Sequence, residues 1–180
     1  MIPEFDFIDE LRGEATLPHG VEVGIGDDTA VLSEPFELFT TDMLVEEVHF
    51  RFDLCEPCEV GWRSLVASLS DIAAMGGSPG PFVVSVALGP EIERQQAKGF
   101  VEGMRAAAEE HGVSEEVAAV GGDLSSSPGP TVLSVALLGT APEEGAILRS
   151  GAHPGDRLVV IGDPGLGAAG LRVLEGEAPN

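Results

Sequence analysis

The chain has 180 residues, enough for one substantial folded domain and part of a second. Its 31 acidic residues against 9 basic ones give a formal charge of −22, and Lys98 is the only lysine. That balance excludes nucleic acid as a partner, because no basic stripe is available to displace counterions from phosphates.

In chain order, the N-terminus "MIPEFDFIDELRG" is acidic and lacks the basic start and apolar core of a signal peptide. A short helix is expected over 3–12. No apolar run approaches the length of a membrane span, so no membrane role and a cytoplasmic protein are expected. Strand-like runs follow at 21–25, 29–33, 36–41 and 44–50, joined by short polar turns. Residues 58–75 read as a helix, 81–89 as a strand, and 91–112 as a helix with acids in its first turn and Gly112 at its C-cap. Residues 116–122 and 131–139 read as strands. The order predicts an α+β fold, a mixed α/β layer with a mixed β-sheet backed by helices.

A turn-rich boundary at 141–155 separates an N-terminal unit, 1–145, from the beginning of a second α/β unit, 146–180. In that second unit "DRLVVIG" is expected as a strand and "GLGAAGLRVLEG" as the opening of a helix. A strand and one helix cannot bury their own apolar faces, so this unit is expected to be incomplete or to dock elsewhere. "GLGAAG" matches G-x-G-x-x-G, but helix packing and a tight turn account for it equally well.

The acids are spread along a chain that is 43% hydrophobic, which describes a folded domain with a carboxylate-rich surface. Such a surface suits high salt and suggests a halophilic source. Against this background, the places where charge is withheld are informative. From Gly61 to Pro90 the only acid is Asp71, and from Val117 to Pro142 the only charged residue is Asp123. At helical spacing, Trp62, Leu65, Val66, Leu69, Ile72 and Ala73 gather on one side of the Asp71 helix. Ser64, Ala67, Ser68, Asp71, Ala74 and Met75 lie opposite, so both faces are expected to be covered. The plainer alternative for Asp71 is an internal hydrogen-bond acceptor.

Asp123 follows two glycines just past a strand. Asp42 follows "FELFTT", with Thr40 and Thr41 before it. Asp27 and Asp28 sit between two strand-like runs, and the residues alone do not choose between them. Carboxylates and threonine hydroxyls form an all-oxygen set that suits Mg²⁺ or another hard cation. A chain this acidic holds ATP only with metal ions between its carboxylates and the phosphates. No P-loop is present, and no protein-kinase signature. Arg149 is the best-placed cation for metal-dominated phosphoryl transfer. Cys55 and Cys58 form "CEPC"; the spacing suits half a zinc site or a redox pair, but no second Cys pair is present and the helix starts after Pro57, so two unpaired thiols are expected.

With these residues assembled, the chain resembles the N-terminal half of a thiamine-monophosphate kinase. The resemblance rests on "GIGDDTAVL", "TTDMLVEEVHF", "GWRSLVASLSDIAAMGGSPG", "VGGDLSSSPG" and "LRSGAHPGDRLVVIGDPGLGAAGL", in that order. It implies that ATP and thiamine monophosphate give thiamine diphosphate and ADP by direct, in-line, Mg²⁺-assisted transfer. It further implies that Asp28, Thr40, Thr41, Asp42, Asp71 and Asp123 bind several Mg²⁺ ions. Gly122, Asp123 and Arg149 would contact ATP, and His49 the thiamine phosphate. Family members are homodimers whose N-terminal sheets pair into a barrel-like interface, which would cover the Asp71 helix. Family members are also longer, so this chain is expected to be a fragment with little or no activity alone. The alternatives are another ATP-dependent enzyme of the same superfamily or a non-catalytic metal- and nucleotide-binding dimerisation domain. The sister enzymes are aminoimidazole ribonucleotide synthetase, selenophosphate synthetase and a hydrogenase-maturation enzyme.

Overall fold

The structure is a computed structural model that describes residues 10, 11, 13, 16–18, 20–23, 31–32, 36–114, 116–148 and 151–176. The helix expected over 3–12 lies mostly outside these; residues 10, 11 and 13 are helical. Two short strands, β1 (Val21–Val23) and β2 (Val31–Leu32), pair antiparallel as a ribbon of their own.

The main sheet is built from β3 (Leu38–Val45), β4 (Ser78–Leu88), β5 (Ala119–Ser126) and β6 (Val132–Thr140), in the order β3-β6-β4-β5. β6 is antiparallel to both β3 and β4, whereas β5 is parallel to β4. Parallel neighbours need a crossover, and two helices supply them: α1 (Pro57–Ala74) between β3 and β4, and α2 (Arg94–Glu110) between β4 and β5. Both crossovers travel the same way across the sheet. Right-handed connections therefore put both helices on one face and leave the other uncovered.

Period-two burial follows from this one-sided cover. Leu133, Val135 and Leu137 of β6 are buried under the helices, while the residues between them are only half-buried. Phe82, Leu65, Ile72, Phe100 and Met104 complete the core. On the uncovered face, Phe39 and Met43 are 71% and 51% exposed. Helix α1 begins with Pro57 at its first position and a reciprocal capping box between Glu56 and Glu59, and α2 has the same device in Glu93 and Gln96. The two helices cross closely because glycines line the contact. A side chain at Gly61 would strike the Phe100 backbone, and one at Gly103 the backbone of Cys58 and Trp62.

Several sequence expectations change here. The runs 36–41 and 44–50 are not two strands: β3 continues unbroken through Thr41-Asp42-Met43, paired residue by residue with β6. Asp42 therefore sits inside a strand, not after one. Likewise β5 runs on through Asp123 to Ser126. The two-sided reading of α1 also shifts. Ser64 and Ser68 are buried with Leu65, Leu69 and Ile72, whereas Ala73 is exposed. A helix packed on both a sheet and a second helix buries a wider arc than one apolar stripe.

The chain's contacts separate into two units, residues 1–147 and 148–180. In the second, α3 (Leu166–Leu174) starts at Gly165, whose φ of 91° is left-handed, and buries none of its residues. The expected strand "DRLVVIG" does not form. Residues 157–161 find no ladder partner among the described residues, and Leu158 to Ile161 stay exposed. Among the described residues, no helix is long and apolar enough to cross a membrane.

Candidate functional site

The strongest convergence of the predicted residues is between β3 and the C-terminal half of α1. Thr40 faces the helices, in register with buried Leu137, and its Oγ1 donates a 2.6 Å hydrogen bond to Asp71 Oδ2. Asp71 is exposed. The plain reading of Asp71 as a hydrogen-bond acceptor is thus part of the geometry, with its second oxygen left for another ligand. Asp42 lies on the same face of β3, about 7 Å along the strand from Thr40. Its Oδ1 accepts from the Met43 N–H at 3.0 Å.

Thr41 points the other way. On the uncovered face its Oγ1 is 3.4 Å from Ser134 Oγ. Asp123 occupies that face too, opposite Ser85, and is exposed. β6 and β4 lie between β3 and β5, three strand spacings, so about 14 Å separates Asp123 from the β3 residues. Gly122 owes its lack of a side chain to the sheet: a Cβ there would run into the Val84 carbonyl. Asp28 and Arg149 lie outside the described residues.

His49 sits in a tight turn that closes β3. Val45 N–H donates to its Nδ1 at 3.0 Å, and its own N–H returns to the Val45 carbonyl at 2.8 Å. Arg63 Nη1 donates to the His49 carbonyl. Sequence reasoning passed over Arg63, although it and Asp71 are the only charged residues in 61–90.

Among the described residues, no group of three or more His, Cys, Asp or Glu side chains is placed to hold a metal ion. Mg²⁺ does not demand one. It keeps several waters and takes one or two carboxylates together with phosphate oxygens. Asp42, Asp71 and the Thr40 hydroxyl are hard oxygen donors only, and they fit that cation. Cys55 and Cys58 are free thiols. Burial pushes the Cys55 thiol up, and its Sγ donates to the Arg51 carbonyl at 3.1 Å.

Residues 26–141 match the family described as AIR synthase related protein, N-terminal domain. The thiamine-monophosphate kinase of Bacillus subtilis is 35% identical over 174 residues, covering 95% of this chain and 52% of that protein. The enzyme of the same name from Mycobacterium tuberculosis is 38% identical over 169 residues, covering 93% and 49%. The chain therefore spans about half the length of the curated relatives it matches. Among solved structures, the thiamine-monophosphate kinase of Stenotrophomonas maltophilia superposes with a TM-score of 0.63 at 29% identity, over 79% of this chain and 44% of that one. AaThiL complexed with AMPPCP and TMP superposes with a TM-score of 0.51 at 33% identity, over 76% and 41%.

Proposed function

Because the chain belongs to the AIR synthase-related family through its N-terminal domain, we propose that it carries the metal- and nucleotide-binding part of a thiamine-monophosphate kinase. The reaction is transfer of the ATP γ-phosphoryl group to thiamine monophosphate, giving thiamine diphosphate and ADP. The observation that carries this reading is the Thr40–Asp71 pair, with Asp42 on the same face of the strand and Asp71 the only acid in 61–90.

In this reading residues 1–145 form the ATP- and metal-binding domain, and 146–180 begin a second α/β domain. Asp28, Thr40, Thr41, Asp42, Asp71 and Asp123 hold Mg²⁺, while Gly122, Asp123 and Arg149 bind ATP. His49 binds thiamine monophosphate. Bound Mg²⁺ supplies positive charge between these carboxylates and the phosphates. The acceptor phosphate oxygen is already ionised near neutral pH, so the chain needs no strong general base. Its residues serve to bring two polyanions into line.

The same geometry supports a homodimer. Asp123 and the Thr40–Asp42 stretch stand at opposite edges of one sheet, about 14 Å apart, so a single chain cannot close both around one ion. A second copy seated on the uncovered face would cover the exposed Phe39 and Met43 and approach Asp123 and Thr41, the predicted residues on that face. The protein works in the cytoplasm, where ATP and Mg²⁺ are available. The test is phosphorus NMR of ATP, Mg²⁺ and thiamine monophosphate with the full-length protein. Thiamine diphosphate is expected. ATP turnover without it would point to a sister enzyme of the superfamily.

A further inference from the structure

The turn that carries His49 is over-determined for an exposed loop. Glu47 is the only described non-glycine residue with positive φ, at 66°, a left-handed conformation that L side chains disfavour. Hydrogen bonds hold it there: Glu47 N–H to the Phe50 carbonyl at 2.8 Å, and Glu46 to Thr131 through both backbone and carboxylate. Inside the turn the Val45 N–H donates to His49 Nδ1. An imidazole nitrogen that accepts from a backbone N–H carries no proton, so the neutral ring must carry its proton on Nε2. Among the described residues nothing accepts from Nε2.

The remaining tie comes from outside the turn. Arg63, on the first turns of α1, donates from Nη1 to the His49 carbonyl. The guanidinium is planar and permanently charged, so it fixes direction as well as distance. We propose that Arg63 is a positioning residue: it pins the His49 carbonyl to α1 and thereby holds the imidazole in the one tautomer that offers Nε2–H to an acceptor. The acceptor is an anionic oxygen of thiamine monophosphate; that last step rests on the function proposed above, while the locked tautomer does not. Thus the helix that presents Asp71 near its C-terminus also orients His49 from its N-terminal half.

The test is ¹⁵N NMR of the full chain labelled at histidine, near pH 8.5, where a free imidazole is neutral. The His49 signals are identified by their loss in His49→Gln. The expected pattern is one protonated Nε2 and one bare Nδ1. Arg63→Gln should draw the two shifts together into a tautomer mixture, Arg63→Lys should restore most of the separation, and neither should lower the melting temperature by more than a few degrees. Adding thiamine monophosphate with Mg²⁺ should shift Nε2 in the wild type, and about three- to tenfold more ligand should be needed in Arg63→Gln. A His49 protonated on Nδ1, or a tautomer unchanged in Arg63→Gln, would overturn the proposal. A locked tautomer that ignores thiamine monophosphate would overturn only the proposed substrate.

Discussion

Replacing Gly103 by alanine should loosen the platform on which the whole site is built. A Cβ at this position would stand 2.7 Å from the Trp62 nitrogen and closer still to the Cys58 carbonyl, both main-chain atoms of α1. Ordinary contact begins near 3.4 Å, and main-chain atoms inside a helix cannot swing aside as a side chain can. The two helices must move apart, so the cost belongs at the upper end of overpacking, about 3 kcal/mol. Alanine recovers about 1 kcal/mol of helix propensity. The net loss of about 2 kcal/mol corresponds to a fall in melting temperature of roughly 4–8 °C for a domain of this size. Thermal unfolding followed by circular dichroism measures it directly. Gly170→Ala in α3 is the matched control, since nothing lies within 4 Å of Gly170 and no fall is expected. A Gly103→Ala protein that melts with the wild type or above it would refute the close crossing of α1 and α2.

Two further outcomes follow from charge and burial. With a formal charge of −22, the folded chain should melt higher as KCl is raised from about 0.1 M to about 1 M, where the screening length contracts from about 10 Å to about 3 Å; a melting temperature indifferent to KCl would contradict that. Iodoacetamide near neutral pH should label exposed Cys58 before Cys55, whose thiol is pushed up by burial, as mass spectrometry of the two sites would show. Because folding raises the Cys55 pKa, its contribution to stability is complete below the ordinary thiol value of 9.0 and is lost as pH rises through the folded-state value. Equal labelling of the two thiols would remove the basis for that pH dependence.

Much of the layer was legible because its signals are local. Pro57 and the Glu56–Glu59 pair mark the start of α1, and Gly112, with φ of 69°, marks the end of α2. The apolar run "TVLSVALLG" reads as a strand and forms β6, although only the pairing shows that it lies between β3 and β4. Asp42 and Asp123 were misplaced for a shared reason. A polar residue in a strand reads as a turn when the ladder partner is remote in sequence, and the β3 partner lies more than ninety residues away in β6. The same long-range pairing decides which face a residue takes, so nothing local separates Thr40 from Thr41 or tells that Asp123 is on the opposite side from Asp71. The Thr40–Asp71 hydrogen bond was beyond sequence reasoning, although the absence of other acids around Asp71 had already singled it out. "DRLVVIG" carries every local mark of a strand and finds no ladder partner among the described residues.

The central claim is that Asp71 belongs to a metal site through which this acidic chain holds ATP. Isothermal titration of ATP into the chain, with Mg²⁺ or with EDTA, tests it most directly. Binding is expected only with Mg²⁺, and Asp71→Asn should weaken it about tenfold or more, the loss expected when a charged ligand is removed. ATP binding that persists in EDTA, or that Asp71→Asn leaves unchanged, would contradict the claim.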